Sequence, residues 1–186
     1  KGYQIIELGA VKYKNGEIIG KFESLVHARE IPPYVQEVTK INLKMLEDAP
    51  RLEKVLKEFK VFLEDDVFIA HDIKFDYTFI SDSFEKFHLG KLLNRKICSI
   101  DLAKRIFPNL VSYKLEYLLD YLKIEGVNSH NALDDVKATA NLVLYLSNEI
   151  IKTKNIRLSF INDNSKIFIK LQILSSQSIF LFSVKQ

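Results

Sequence analysis

The sequence predicts an α/β chain in which a mixed sheet is flanked by helices, and three observations carry that expectation. In the opening run, Ile5, Glu7, Gly9 and Val11 alternate with Ile6, Leu8 and Ala10, so apolar residues fall on both faces of one strand. Val67-Phe68-Ile69-Ala70 is a short continuous apolar run, the pattern of a strand covered on both sides. From there on, strand-like runs alternate with segments of helical periodicity.

Residues 4–26 read as a hairpin, with Asn15-Gly16 supplying the left-handed positions of a two-residue turn. Ile31-Pro32-Pro33 then interrupts regular structure and leads into a short helical stretch around Tyr34 to Val38. A longer helix is expected from about Pro50 to Leu63, with Leu52, Val55, Leu56 and Phe59 on one face, Asp48 as its N-cap and Pro50 in its first turn. After the Val67–Ala70 strand, Phe75 to Phe87 reads as a helix, Ile97 to Ile100 as a strand, and Ser112 to Leu122 as a helix with a stripe of Leu115, Leu118, Leu119 and Leu122. A turn at Glu125-Gly126 precedes a helix from about Ala132 to Leu146, with Val136, Ala140, Val143 and Leu146 facing inward.

Beyond residue 151 the character changes. Asn155 to Ile161, Lys166 to Leu174 and Ile179 to Val184 are strand-like, separated by the turn signals Asn162-Asp163-Asn164-Ser165 and Ser175-Ser176-Gln177-Ser178. The expected division is a main domain over residues 1–150 and a small β-rich extension, a three-stranded meander, over residues 151–186.

With 186 residues, 47% of them hydrophobic, the chain can bury one substantial core. Cys98 is the only cysteine, which rules out an intrachain disulfide and suits a reducing, cytoplasmic compartment. No apolar run approaches the roughly 20 residues that span a bilayer, so no membrane is expected. A formal charge of +3, from 27 basic and 24 acidic residues, is too mild to announce a nucleic-acid partner through bulk electrostatics, and too mild to exclude one.

The residues that carry chemistry cluster in two stretches, Ala70-His71-Asp72-Ile73-Lys74-Phe75-Asp76 and His130-Asn131-Ala132-Leu133-Asp134-Asp135. Asp76 falls in the first turn of a helix that follows a buried strand, the region where ligands gather in open α/β sheets. An aspartate there also complements the helix dipole, and taken singly that is its commoner role. His130 precedes the last helix and Asp135 falls near its start, a spacing that brings an imidazole and a carboxylate toward one pocket; Asp134 points about 100° away around the helix axis. Capping alone also accounts for this second stretch, but both stretches together, in order and on the same framework, argue for a site.

With further landmarks added, the sequence resembles the DEDDh family of 3′-to-5′ exonucleases, a branch of the ribonuclease H-like fold that includes the proofreading epsilon subunit of bacterial DNA polymerase III. The resemblance covers about residues 1–150. It rests on Ile5 to Val11, on Thr39-Lys40-Ile41 where the family has Thr-Gly-Ile, on Asp48-Ala49-Pro50, on Ala70 to Asp76, on Ser112 to Leu115 and on His130 to Asp135.

The resemblance implies a ribonuclease H-like mixed sheet and hydrolysis of phosphodiesters with two divalent ions, Mg²⁺ or Mn²⁺. Asp76 and Asp135 are then metal ligands and His130 the general base, with His71 and Asp72 near the substrate; Phe75 and Tyr77 can stack on a terminal base or lie in the core, and the core is the expected place of Phe75. The expected partners are a single-stranded DNA 3′ end and a DNA polymerase subunit. Two alternatives use the same residues: an RNA 3′-end-trimming enzyme, and a non-catalytic module that binds nucleic acid or a polymerase. The second alternative arises because the family's first motif, Asp-x-Glu on a strand in the middle of the sheet, is expected upstream of Tyr3. A longer natural protein is the simpler expectation; a strand from residues 166–184 filling the gap is the other. Asp72 stands where the family usually has Asn. Glu7 occupies a position distinct from the catalytic Asp-x-Glu and reads as structural.

Overall fold

The computed structural model describes residues 4–14, 17–126, 132–158 and 179–185. Its elements run β1 (Glu7–Lys14), β2 (Glu17–Leu25), α1 (Pro33–Thr39), α2 (Leu43–Glu47), α3 (Leu52–Leu63), β3 (Val67–Ala70), α4 (Ile73–Lys86), β4 (Lys96–Cys98), α5 (Ser99–Ile106), α6 (Leu115–Leu122), α7 (Ala132–Leu158) and β5 (Ile179–Lys185). Among the described residues these strands form one mixed sheet in the order β2-β1-β5-β3-β4. The two-faced apolar pattern of β1 has its counterpart in burial, since Glu7 to Val11 are all buried and β3 is buried throughout. The Asn15-Gly16 turn of the hairpin lies outside the described residues.

Alternation along the strands divides the core in two. Leu8 and Ala10 of β1 and Phe68 and Ala70 of β3 pack with Val55, Leu56 and Phe59 of α3 and Ile80 and Phe84 of α4. The intervening Val11, Tyr13, Val67 and Ile69 pack on the other face against Val136, Ala140 and Val143 of α7. Each fully buried side chain of this size contributes about 1.5–3 kcal/mol, so the sheet is held between α3 and α4 on one side and α7 on the other. A third cluster, around Leu118, Ala138, Leu142 and Leu146, binds α5 and α6 to the outer side of α7.

In the middle of the sheet the structure follows the second of the two expectations, a strand from the C-terminal segment in the gap. β5 sits between β1 and β3, antiparallel to β1 through Glu7↔Lys185 to Tyr13↔Ile179 and parallel to β3 through Val67↔Ile179 to Ile69↔Leu181. The third strand-like run of the C-terminal segment is thus a strand of the main sheet rather than of a separate meander. Its place has a physical reason: β1 and β3 each have a free ladder on the facing side, and a seven-residue strand satisfies backbone groups that burial would otherwise strand without partners. The first run, Asn155 to Ile161, is corrected as well, because α7 is helical through Leu158. Once a helix is nucleated and packed, each added residue gains a hydrogen bond for a small entropic cost, and this outweighs weak local strand preference. Residues 159–178, with the second run and both turn signals, lie outside the described residues.

Smaller corrections concern helix ends. Asp48 stands at the C-terminal end of α2 and does not cap α3, whose N-cap position is Arg51. Pro50 precedes the helix, and its carbonyl accepts from the His27 amide at 2.9 Å. The strand read at Ile97 to Ile100 ends at Cys98, and α5 begins at once with Ser99.

Lys40 closes α1 with φ 61° and ψ 8°, its amide donating to the Gln36 carbonyl at 2.9 Å. That left-handed C-terminal position favours glycine, because a side chain there meets the following carbonyl. Lys40→Gly is therefore expected to stabilise the protein by about 0.5–1 kcal/mol, read as a higher denaturant midpoint at unchanged slope.

Candidate active site

The register of the sheet shows which ends meet. Ile69 of β3 pairs with Leu181 of β5, which pairs with Val11 of β1. Two residues further along β5, Ser183 pairs with Gly9, so the residue after the end of β3, His71, and the first half of β1 share one end of the sheet. The starts of α4 and α7 lie there too. α4 begins directly after β3, with its first turn anchored by the Asp72 carbonyl, which accepts from the Phe75 and Asp76 amides at 3.1 and 3.4 Å.

α7 is brought to this end by β1. A Cβ built on Gly9 would lie 2.9 Å from the carbonyl carbon and Cβ of Ala132 and from the Leu133 amide nitrogen, so the helix start rests directly on the strand backbone. Beside it, the Ala132 amide donates to Oε2 of Glu7 at 3.1 Å in buried surroundings. Glu7 is 4% exposed, and it accepts from one of the helix's first N–H groups, which have no acceptor within the helix. Its negative charge also suits the positive end of the helix dipole.

Asp76 and Asp135 occupy the first turns of α4 and α7, and both are 8% exposed. The two helices pack on opposite faces of the sheet, so the carboxylates reach this end from either side. Burial separates the adjacent pair on α7: Asp135 is buried, whereas Asp134 is partly exposed and bonded to Lys137 Nζ at 3.2 Å. His130 lies outside the described residues.

His71 is a bracket. Its Nε2 faces the Tyr113 carbonyl at 2.9 Å and its Nδ1 faces Ser99 Oγ at 2.8 Å. A carbonyl only accepts, so Nε2 carries the hydrogen, and in the neutral ring Nδ1 accepts from the serine hydroxyl. The Tyr113 hydroxyl in turn donates to the Phe107 carbonyl at 2.7 Å and accepts from the Leu110 amide at 3.2 Å, which folds the 107–113 loop against the same ring. Ser99 is fully buried. Desolvation pulls the His71 pKa below the ordinary 6.5, opposed by the hydrogen bond to Tyr113 and by the charges of Asp72 and Asp135. That the Asp135 charge is felt at His71 agrees with the register in placing α7's first turn beside the end of β3.

The remaining expected substrate residues differ in position. Asp72 is exposed at the start of α4 and its side chain makes no cap hydrogen bond. Phe75 is 43% exposed, with its ring 5.0 Å from that of Phe79, and so presents an aromatic face to solvent rather than lying in the core. The sequence carries no local signal for Ser99 as part of this site, and for Tyr113 only its place within the matched Ser112 to Leu115 stretch.

Asp76 and Asp135 are hard oxygen donors of the kind Mg²⁺ and Mn²⁺ take. Among the described residues, no three or more His, Cys, Asp or Glu side chains come together as a metal site. The pair therefore fits as part of a donor set and does not make up a two-ion centre alone.

Two outcomes are expected. Gly9→Ala places a methyl group against helix backbone that cannot swing aside, and should cost about 1–3 kcal/mol in chemical denaturation. For His71, the folded pKa lies below the unfolded one, so the unfolded chain binds the proton more readily. Its stabilising contribution is complete above about pH 6.5 and is lost as pH falls from there through the folded pKa. Denaturation midpoints of wild type and His71→Gln between pH 7.5 and 5 should converge on acidification; parallel curves would refute this.

Comparison with known proteins agrees with this architecture. The exonuclease family model matches residues 1–143. The PolC-type DNA polymerase III of Halalkalibacterium halodurans is 36% identical over 162 residues, 87% of this chain and 11% of that protein. Its counterpart in Bacillus subtilis is 36% identical over 142 residues, 75% of this chain and 10% of that protein. The chain thus spans about a tenth of the length of these relatives. Among solved structures, exonuclease X in complex with 5′ overhanging duplex DNA is similar with a TM-score of 0.58 at 24% identity, over 77% of this chain and 82% of that one. Cell-death related nuclease 4 is similar with a TM-score of 0.61 at 12% identity, over 98% of this chain and 74% of that one. With its ribonuclease H-like mixed sheet and the extent of the sequence match, the chain belongs to the exonuclease family.

Proposed function

We propose that this chain is the 3′-to-5′ exonuclease unit of a DNA polymerase, removing nucleotides from DNA 3′ ends in replication proofreading. The observation that carries the reading is the convergence of two buried carboxylates, Asp76 and Asp135, on one end of the sheet from helices on opposite faces. Two carboxylates held at one end of a sheet supply the hard oxygen donors that a divalent ion takes. The relatives named as PolC-type DNA polymerase III favour DNA over RNA as substrate.

In this reading Asp76 and Asp135 are ligands of Mg²⁺ or Mn²⁺, and the other carboxylates of a two-ion centre come from beyond the described residues. Such ions, when bound, stabilise charge on the attacking and leaving oxygens. His130, two residues before α7, takes the proton from the attacking water, a task suited to an imidazole near neutral pH. The exposed ring of Phe75 stacks on the terminal base, and Asp72 lies at the entrance beside it. His71 holds the end of β3, α5 and the 107–113 loop in place through both ring nitrogens.

Release of nucleotides from 5′-labelled single-stranded DNA in Mg²⁺ and Mn²⁺ tests the proposal, with this chain assayed beside a form carrying its native upstream residues and a matched RNA as competitor. Shortening from the 3′ end is expected in the extended form, reduced at least about 100-fold by Asp135→Asn. Folded protein that leaves DNA intact in both forms would refute it, and preferential cleavage of RNA would replace the DNA assignment.

A further inference from the structure

We infer that Glu7 is a positioning residue for the exonuclease site: more by its reach than by its charge, its carboxylate fixes the start of α7 and thereby places Asp135. The inference rests on the functional reading above. Glu7 lies on β1, 125 residues from its partner, and is nearly inaccessible to solvent. Its neighbours two positions apart on the strand, Gly9 and Val11, face α7 as well, so the side chain stands on the helix-covered face.

The point of attachment matters most. The accepted amide belongs to Ala132, the first residue of α7. Asp135 lies three residues beyond it, less than one helical turn, and His130 lies two residues before it. The hydrogen bond therefore holds the helix less than one turn from the carboxylate assigned to the metal site. The Gly9 contact sets how closely the helix approaches the strand, but a stacked contact alone lets the helix slide or rotate. The directed bond from Glu7 restricts that freedom at the first turn, where the packing of the later turns does not reach. Reaction rates respond steeply to such freedom, since a displacement of about 1 Å costs on the order of 100-fold.

Charge and reach can be separated. Glu7→Gln keeps the length of the side chain and an acceptor oxygen but removes the charge. Glu7→Asp keeps the charge but withdraws it by one methylene, out of range of the Ala132 amide. In the full chain and its upstream-extended form, two measurements are made: amide hydrogen exchange over residues 132–135, and kcat and KM for nucleotide release. For Glu7→Asp the expected result is exchange faster by at least about 10-fold at the start of α7 with β1 and β3 unchanged, together with kcat lower by at least about 10-fold at nearly constant KM. Glu7→Gln should stay within about threefold of wild type in both.

The reverse ranking, with Asp tolerated and Gln not, would overturn the inference in favour of a purely electrostatic role. Exchange rising evenly across the sheet, or unchanged at 132–135, would overturn it in favour of ordinary core packing. A wild-type protein without nuclease activity would sink the functional reading, and with it the catalytic consequence. The exchange data would still decide whether Glu7 anchors the helix.

Discussion

The contact of β1 with the first turn of α7 is the constraint on which the rest of the architecture depends. Strand and helix approach so closely at Gly9 that any side chain there would enter the helix backbone. A helix 27 residues long, covering one face of the sheet, thus has its starting point set by a position without a Cβ. Everything that α7 carries follows from that setting: Asp135 near the end of β3, Val136, Ala140 and Val143 over the sheet, and Ala138, Leu142 and Leu146 toward α5 and α6. The buried Glu7 adds direction to this proximity, and both residues belong to one short strand at the opposite end of the chain from the helix they control.

The end of β3 is organised on the same principle, with an internal side chain substituting for regular structure. Three segments, the β3–α4 junction, the start of α5 and the loop before α6, converge where the strand stops and its backbone ladder no longer holds them. His71 joins them through both ring nitrogens. His71, expected near the substrate from the sequence, is also part of the scaffold, and Asp72 and Phe75 are exposed beside it. Precision at such a site comes from the supporting interactions, because the groups that do chemistry must keep their place while solvent and substrate come and go.

The elements themselves were largely legible in the sequence. The two-faced apolar pattern of β1, the run of β3 and the stripes of α3, α6 and the first half of α7 all have the burial that their periodicity predicts. The order of motifs disclosed the family, and burial distinguishes Asp135 from Asp134 as helical geometry suggests. Boundaries were less legible. α7 runs to Leu158 because an established helix propagates through residues of mediocre propensity, and α3 starts after Arg51, whose backbone is extended.

By itself, then, the sequence determined which segments are strands and helices, which faces are apolar and which polar residues gather in family motifs. These are local properties, expressed in spacings of a few residues. Only the tertiary structure decided that β5 lies between β1 and β3, that Glu7 meets Ala132, and that His71 is satisfied by Ser99 and Tyr113. Each of these joins residues far apart in the chain, and no local pattern distinguishes such a partner from its rivals. The choice is made when the whole core closes and every buried polar group must find a partner in the same arrangement.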